Sequence, residues 1–238
     1  MATGITNYIP NTLTSCNLIS GCIATGCAMH AHYTSALLFI ILGAVFDFFD
    51  GMSARALKVP MGIGKELDSL ADDVTFGVAP ASMVYMVCKS CSYPAFLSGI
   101  AAYLPYIAFI MAAFSAIRLA KFNLDTRQTT SFIGLPTPAN ALFWGALIVA
   151  HQKTFSDISN EYVGIGLLIG TLIFSYLLVA EFPMFALKFK NLSWADNQVK
   201  YIFVLSSFIL ILALGISGIS AVILWYIVLS AFTQRSNN

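Results

Sequence analysis

The chain has 238 residues, of which 58% are hydrophobic and only 10% are charged, and its mean hydropathy is +0.82. Soluble domains carry about 25% charged residues, so this composition excludes an ordinary water-soluble fold and indicates an integral membrane protein. The formal net charge of +1 gives no reason to expect a nucleic-acid partner.

Windows of about 20 apolar residues mark membrane-spanning helices. In chain order we predict eight of them, near residues 12–30, 35–57, 66–88, 95–117, 136–152, 162–181, 200–215 and 218–234. The fifth, seventh and eighth are short and the break between the last two is indistinct, so six or seven spans are the alternatives. No internal repeat or linker interrupts the pattern. We therefore predict an all-α polytopic membrane protein with about eight transmembrane helices in a single domain, 1–238.

Lysine and arginine are distributed unevenly between the two sides of this predicted topology. Ten of the twelve fall on one side, and only Lys89 and Lys153 fall on the other. Because positively charged loops stay in the cytoplasm, both termini and the loop 58–65 are predicted to face the cytoplasm. At the outer end of the third span, Cys88 and Cys91 are spaced so that a disulfide is possible.

Four aspartates stand out in a sequence otherwise suited to lipid: Asp47, Asp50, Asp68 and Asp72. Charged side chains at membrane depth are costly and usually mark a functional site. Residues three or four apart share one face of a helix, so Asp47 and Asp50 point the same way, as do Asp68 and Asp72. The connection at 57–64 is short enough to make the two helices antiparallel neighbours. We therefore expect all four carboxylates to converge.

Converging carboxylates repel one another unless cations lie between them, and hard oxygen ligands suit Mg²⁺ or Mn²⁺. The alternative is that the acids form solvated helix ends or ion pairs with nearby Lys and Arg. Six of the eleven acidic residues lie within 47–73, against three basic residues in the same stretch. This excess of negative charge favours a divalent-cation site.

The stretch from Asp47 to Asp72 matches the signature D-x2-D-G-x2-A-R-x8-G-x3-D-x3-D at each of its fixed positions. In this it resembles the CDP-alcohol phosphotransferases. The resemblance implies a six-helix catalytic core, here about 9–181, with additional helices at about 200–234, and a homodimer. It also implies a reaction in which an alcohol displaces CMP from a CDP-linked donor.

The same resemblance implies roles for the residues of the signature. Asp47, Asp50, Asp68 and Asp72 would bind two divalent cations, Mg²⁺ or Mn²⁺, and Asp72 would also act as the catalytic base. The CMP part of the donor would be held by Asp47, Gly51, Ala54 and Arg55. Two polar residues at the start of the first predicted span, Asn11 and Thr14, could contact the cytidine or cap the helix.

The segments that flank the signature, 9–14, 65–80, 117–123 and 132–138, resemble those of bacterial-type phosphatidylserine synthases within this family. This resemblance implies that CDP-diacylglycerol and L-serine are the substrates. It also implies a location in the cytoplasmic (inner) membrane of a bacterium, with the active site facing the cytoplasm.

Serine carries a carboxylate, for which a bidentate arginine is the usual partner. We expect Arg118, Lys121 and Asn123, near the cytoplasmic end of the fourth span, to bind serine or a phosphate. The alternative is that Arg118 and Lys121 are ordinary positively charged anchors at the membrane surface.

Three other functions compete with transfer to serine. A sibling enzyme with glycerol-3-phosphate, inositol or choline as acceptor is the main alternative, although a phosphorylated acceptor would require more Lys and Arg than the site region supplies. A membrane prenyltransferase also uses aspartates and Mg²⁺, but spreads them over distant helices. A cation transporter would place acids along a path and would not need the Gly51, Ala54 and Arg55 element. We expect transfer of the phosphatidyl group of CDP-diacylglycerol to serine, with release of CMP.

Overall fold

A computed structural model describes residues 4–58, 63–125, 132–156, 161–185 and 193–235 of the chain. Its helices are α1 (Gly4–Met29), α2 (Tyr33–Ala56), α3 (Ile63–Asp72), α4 (Ala79–Ser90), α5 (Ile110–Leu124), α6 (Thr137–Ala150), α7 (Gln152–Ser156), α8 (Val163–Val179), α9 (Trp194–Leu214) and α10 (Ile216–Arg235). A π-helix (Asp73–Val78) joins α3 to α4, and 3₁₀ helices occupy Ala95–Leu97 and Leu104–Phe109. Two short strands, β1 (Phe132–Ile133) and β2 (Pro183–Met184), pair in antiparallel orientation.

Five helical stretches in the described ranges are long and apolar enough to cross a membrane: Tyr8–Met29, Tyr33–Ala56, Leu104–Leu124, Asn197–Leu214 and Ile216–Thr233. Of these, α2 has 24 residues and is therefore about 36 Å long, compared with about 30 Å for the hydrocarbon core of a bilayer. The shorter apolar helices α6 and α8, and the continuous run from α3 to α4, lie at the other predicted segments. The predicted all-α polytopic membrane fold is confirmed. The single-domain organisation stays a prediction, which the packing of α10 against α6 supports.

The predicted position of the fourth span, 95–117, is wrong, because the helical stretch runs from Leu104 to Leu124. Before it the chain forms turns and one short 3₁₀ helix, and Pro105 lies in the first turn of the span, where a proline removes no hydrogen bond. Hydropathy misplaced the boundary because the loop itself carries large apolar side chains, including the exposed Phe96 and Tyr103. Consequently Arg118 lies inside a helix and not at its end.

The first helix also differs from its predicted range. Because α1 begins at Gly4, Asn11 lies about two turns inside it and Thr14 nearly three, and the suggestion that they cap the helix is wrong. The last two spans separate at Gly215, whose positive φ of 59° is a conformation that glycine adopts without strain. Cys88 and Cys91 are buried free thiols, so no disulfide joins them.

Helix α1 packs along α2 and also contacts α3 and the π-helix, whereas direct backbone contact between α2 and α3 is minor in the part of the chain described. Small residues permit this close approach: a Cβ atom added to Gly21 or Gly43 would collide with Thr75 of the π-helix. The hydroxyl of Thr75 donates to the carbonyl oxygen of Asn17 at 3.0 Å. Polar side chains of α1 are thereby held next to the acidic ends of α2 and α3.

The segment before α6 is tied to the segment after α8. Besides the β1–β2 pair, the backbone N–H of Gly134 donates to Phe182 O at 2.8 Å and that of Leu135 donates to Leu177 O at 2.9 Å. Gly134 has a positive φ of 78°, and a Cβ there would also lie only 3.2 Å from the carbonyl oxygen of Ala180. This junction brings the chain after α8 to the end of the bundle where α5 terminates.

Candidate active site

The predicted aspartates come together between the C-terminal end of α2 and helix α3. Asp47 and Asp50 lie on the last turns of α2 and Asp68 on α3, and one carboxylate oxygen of each lies within 4.8 Å of the others. Asp72, one turn further along α3, is close enough for its charge to interact with those of Asp47, Asp68 and Asp50. Asp50 and Asp72 are both buried. The result is a compact negative centre inside an apolar bundle.

Two polar side chains of α1 hold two of these carboxylates. Thr14 Oγ1 donates to Asp50 Oδ2 at 2.6 Å, and Asn17 Nδ2 donates to Asp72 Oδ1 at 2.9 Å. Each hydrogen bond to a charged group contributes about 1.5–3 kcal/mol. Asn17 was not identified from the sequence, although Asn11, Thr14 and Asn17 recur at three-residue intervals along one apolar helix. That spacing places neighbouring members on a shared face and was the available signal.

The acidic centre fits a divalent cation. Oxygen ligands lie about 2.1 Å from Mg²⁺, so two of them on one ion are separated by up to about 4.2 Å, close to the oxygen spacing found here. Asp68 Oδ1 is buried and has no hydrogen-bond partner among the described residues. Because a buried carboxylate oxygen without a partner is costly, this atom is suited to bind a cation. Asp47, Asp50 and Asp68 could hold one directly, with Asp72 beside them.

The residues expected to bind the nucleotide follow Asp50 on the final turn of α2. A Cβ at Gly51 would lie 3.4 Å from Nη1 of Arg55, so the small residue leaves room for the guanidinium to lie along the helix. Arg55 is exposed and its charge interacts with that of Asp50, while Ala54 beside it is half-buried. On α1, Asn11 Oδ1 would lie 3.0 Å from a Cβ at Gly64, so the glycine of the signature permits the contact between α1 and α3.

Arg118 is buried, with 8% of its surface exposed, and its charge interacts with that of Asp72. Its guanidinium carbon lies 5.3 Å from the ring centroid of Phe122, a cation–π distance. Its Nε is buried without a hydrogen-bond partner in the described part of the chain. A surface anchor would be exposed, so this burial argues against the alternative that Arg118 only marks the membrane boundary.

A residue of the C-terminal helix also contributes to the electrostatic surroundings of Arg118. Tyr226 of α10 is buried and interacts electrostatically with the guanidinium, while its hydroxyl donates to the carbonyl oxygen of Phe185 at 2.8 Å. Hydropathy could not identify this residue, because nothing in the sequence of a membrane-spanning helix shows which earlier helix it packs against.

The other two residues expected to bind serine have different surroundings. Lys121 is exposed on the next turn of α5. Asn123 joins α5 to α3: its Nδ2 donates to Ser69 Oγ at 2.8 Å, and its carbonyl oxygen accepts from Lys65 Nζ at 2.8 Å. Because Ser69 is adjacent to Asp68, Asn123 lies where it can position α3 against α5.

A cavity of about 300 Å³ opens beside Arg118 at the end of the bundle where α5 and α8 terminate. Its charged lining consists of Arg118, Lys121, Asp125 and Glu181, and apolar residues including Leu178 complete the wall. Asp125 and Glu181 lie outside the family signature and were not identified from the sequence. The arrangement places two cations and two carboxylates around one small space, of which Arg118 is the residue that also interacts with Asp72.

A polytopic helical bundle with clustered aspartates on its second and third helical segments defines a class of membrane enzyme. The chain matches the CDP-alcohol phosphatidyltransferase family over residues 7–180, a range that contains the acidic centre and Arg118. The chain belongs to this family.

Individual relatives carry more specific names. The chain is 39% identical to the CDP-diacylglycerol–serine O-phosphatidyltransferase of Bacillus subtilis over 185 residues, covering 75% of this chain and 92% of the relative. It is 30% identical over 190 residues to the Helicobacter pylori (strain J99) protein of that name, covering 78% and 74%, respectively. A third protein of that name, from Methanocaldococcus jannaschii, is 33% identical over 175 residues, covering 74% and 75%.

Replacement of Asp68 by Asn removes the charge of a carboxylate whose oxygen belongs to the cluster. We expect activity to fall by more than the roughly 10- to 100-fold typical of residues that only support metal ligands. We also expect Mn²⁺ to raise the Tm of the detergent-purified wild type, because ligands stabilise the folded state that binds them, but not that of the variant. Differential scanning fluorimetry with and without Mn²⁺ measures this independently of turnover.

Glu66→Gln is the matched control, since Glu66 is an exposed carboxylate on the same helix. It should retain both activity and the Mn²⁺-dependent rise in Tm. Wild-type activity that persists undiminished in EDTA, or an Asp68→Asn protein that keeps the Mn²⁺ response, would contradict the cation site.

Proposed function

We propose that this protein transfers the phosphatidyl group of CDP-diacylglycerol to the hydroxyl of L-serine, giving phosphatidylserine and CMP. Membership of the CDP-alcohol phosphatidyltransferase family supports the reaction type, and the names of the three relatives support the donor and the acceptor. The observation that carries the proposal for this chain is the position of Arg118. It is a buried cation that interacts with Asp72 and also lines a cavity large enough for a small alcohol.

The donor would be held by the last turn of α2. Gly51 and Ala54 are small and allow the nucleotide to approach the helix, and Arg55 presents a charged donor to a phosphate oxygen. Asp47 shares this end of the helix, and Asn11 and Thr14 lie on the neighbouring surface of α1. These six residues form the proposed CMP-binding set.

Asp47, Asp50, Asp68 and Asp72 would hold two divalent cations, either Mg²⁺ or Mn²⁺. Bound there, such ions supply positive charge to the pyrophosphate oxygens and to the leaving group. The protein's own part is to fix the carboxylates: Thr14 restrains Asp50, and Asn17 restrains Asp72. Restrained ligands need little reorganisation when substrate binds.

In the transfer step, the serine hydroxyl oxygen attacks the phosphorus that bears the diacylglycerol. A new O–P bond forms while the P–O bond to the pyrophosphate bridge breaks, and CMP leaves with the bridging oxygen. The hydroxyl proton passes to Asp72 acting as general base. Asn17 occupies Oδ1 of this carboxylate, which leaves Oδ2 to receive the proton. Arg118 holds the serine carboxylate and so orients the hydroxyl.

The protein is proposed to lie in the cytoplasmic (inner) membrane of a bacterium, with this site facing the cytoplasm. The distribution of Lys and Arg supports this orientation. The fold also supports this orientation. One end of the bundle holds Lys65, which follows α2, together with Asn123 at the end of α5 and Glu181 after α8, as the predicted topology requires. The homodimer implied by the family resemblance stays a prediction.

The acceptor is tested by assaying the purified protein with CDP-diacylglycerol in mixed micelles, with Mg²⁺ or Mn²⁺ and one alcohol at a time. We expect CMP release and phosphatidylserine formation with L-serine, and only background CMP release with glycerol-3-phosphate, inositol or choline. Chromatography of the lipid product together with measurement of CMP gives the result. Faster turnover with any of the other three alcohols would reject serine as the acceptor.

Replacement of Arg118 by Lys keeps the charge but removes the two-pronged donor geometry. We expect an apparent KM for serine about tenfold higher, the size of one lost charged hydrogen bond, with the KM for CDP-diacylglycerol nearly unchanged. Arg55→Lys is the paired control and should show the reverse pattern. If Arg118→Lys weakens the lipid donor and spares serine, then Arg118 contacts the pyrophosphate instead.

Orientation is tested with single cysteines at two exposed positions on opposite predicted sides, Lys58→Cys and Glu161→Cys. In intact bacterial cells, a membrane-impermeant maleimide should label Glu161→Cys and not Lys58→Cys, and lysis should make Lys58→Cys reactive. The unaltered protein, which has five native cysteines, is the control and shows how much labelling occurs without an added cysteine. Labelling of Lys58→Cys in intact cells would place the site on the outer face.

A further inference from the structure

Helix α5 meets the continuous run of α3 and the π-helix at two polar contacts. The first joins Asn123 to Ser69 through the hydrogen bond described above. The second joins Ser115 to Asp73, the first residue of the π-helix, whose side chains interact. Asp73 lies outside the family signature, and the transfer step proposed above uses neither Asp73 nor Ser115. The second contact therefore needs an explanation of its own.

The contact between Asp73 and Ser115 forms beside a glycine. A Cβ atom added at Gly77 would lie 2.7 Å from Asp73 Oδ1 and 3.0 Å from Ser115 Oγ, which leaves no room for it. Both oxygens are buried, and neither has a hydrogen-bond partner elsewhere among the described residues. A buried carboxylate oxygen and a buried hydroxyl are costly when left alone, so each side chain holds the other in place.

The second contact is adjacent to both groups that would act on the acceptor. Arg118 follows Ser115 by three residues, about one turn of α5, and Asp72 directly precedes Asp73. The charges of Arg118 and Asp72 also interact with each other. The position of Ser115 against Asp73 therefore controls how far the guanidinium lies from the Asp72 carboxylate.

The π-helix is anchored independently of α5. Asn17 of α1 donates to Asp72 at 2.9 Å, and Thr75 donates to the carbonyl oxygen of Asn17 at 3.0 Å. Helix α1 thus holds this segment on both sides of Asp73. It follows that the second contact positions α5, and Arg118 with it, against a segment that is already fixed.

We propose that Asp73, acting through Ser115, is a positioning residue that sets the separation between Arg118 and Asp72 and thereby orients the acceptor. The inference rests on the proposed function, in which Arg118 holds the acceptor carboxylate and Asp72 takes the hydroxyl proton. An acceptor held at Arg118 presents its hydroxyl to Asp72 only when that separation matches the length of the molecule. A misplacement of about 1 Å can lower a rate about 100-fold.

The first test is a double-mutant cycle of Asp73→Ala and Ser115→Ala, measured on the purified protein with CDP-diacylglycerol and L-serine. Each single variant should lower kcat with serine about 10- to 100-fold. The double variant should lose little more than either single one, because the two residues act through one contact. Asp73→Asn keeps an oxygen that can accept from Ser115 and should recover part of the loss.

Two further measurements separate positioning from a general structural defect. In each of these variants, the KM for CDP-diacylglycerol and the Mn²⁺-dependent rise in Tm should stay close to those of the wild type. Both depend on the aspartates and on the last turn of α2, which the second contact does not touch. A structural defect would change them together with kcat.

Gly77→Ala tests the contact without removing either side chain. The added methyl group must separate Asp73 from Ser115, so kcat with serine should fall as it does in Ser115→Ala, although alanine normally stabilises a helix relative to glycine. Gly26→Ala on α1 is the matched control, since a Cβ there would meet nothing within 4 Å, and it should leave kcat unchanged. If Gly77→Ala does not fold, Ser115→Ala, which removes a single oxygen atom, decides the question.

The proposal is overturned if the losses in the cycle simply add, or if both single variants keep a kcat within about twofold of the wild type. A loss that falls equally on the KM for CDP-diacylglycerol and on the Mn²⁺ response would also overturn it. Failure of the wild type to use serine would instead reject the proposed function. The same cycle, measured with the alcohol that the protein does use, would still decide whether Asp73 and Ser115 act together.

Discussion

Mutual repulsion among carboxylates in an apolar bundle is the constraint on which this structure depends. At an effective dielectric constant of about 20, two unit charges about 5 Å apart repel by about 3 kcal/mol, and three such charges by about 10 kcal/mol. The neutral donors Thr14 and Asn17 contribute about 1.5–3 kcal/mol each, which does not balance that repulsion. Protons, the neighbouring charges of Arg55 and Arg118, or bound cations must therefore offset the remaining repulsion, and the spacing of the carboxylate oxygens suits divalent cations.

The fold meets this constraint by placing a polar helix face against the acids. Small residues at Gly21 and Gly43 let α1 and α2 close on Thr75, and that contact sets the depth at which Thr14 and Asn17 meet their carboxylates. The π-helix begins directly after Asp72, and irregularities of this type often occur at functional sites. It turns Asp73 toward Ser115 of α5, and the two side chains approach each other over Gly77, where an added Cβ would lie 2.7 Å from Asp73 Oδ1 and 2.9 Å from Ser115 Cβ.

The surroundings of the site extend beyond the segment that defines the family. Residues 7–180 contain the acidic centre and Arg118, but Glu181 lines the cavity and Tyr226 of the C-terminal helix interacts electrostatically with Arg118. Packing of α10 on α6 holds Tyr226 in place, aided by the hydrogen bond from Ser220 to the carbonyl oxygen of Phe143 at 2.8 Å. The reaction type thus rests on the shared segment, while the environment of the buried arginine also depends on helices outside it.

The sequence by itself determined the membrane class, the helical segments and the grouping of the aspartates, because hydropathy and helical spacing are local properties that each stretch carries alone. It misplaced the fourth span, since apolar loop residues such as Phe96 satisfy a hydropathy window as well as helical ones do. The roles of Asp125, Glu181 and Tyr226, and the carboxylate that Asn17 meets, were decided only by the tertiary structure. Their roles arise from contacts between segments distant in the chain, and such contacts depend on how helices pack, which no local pattern encodes.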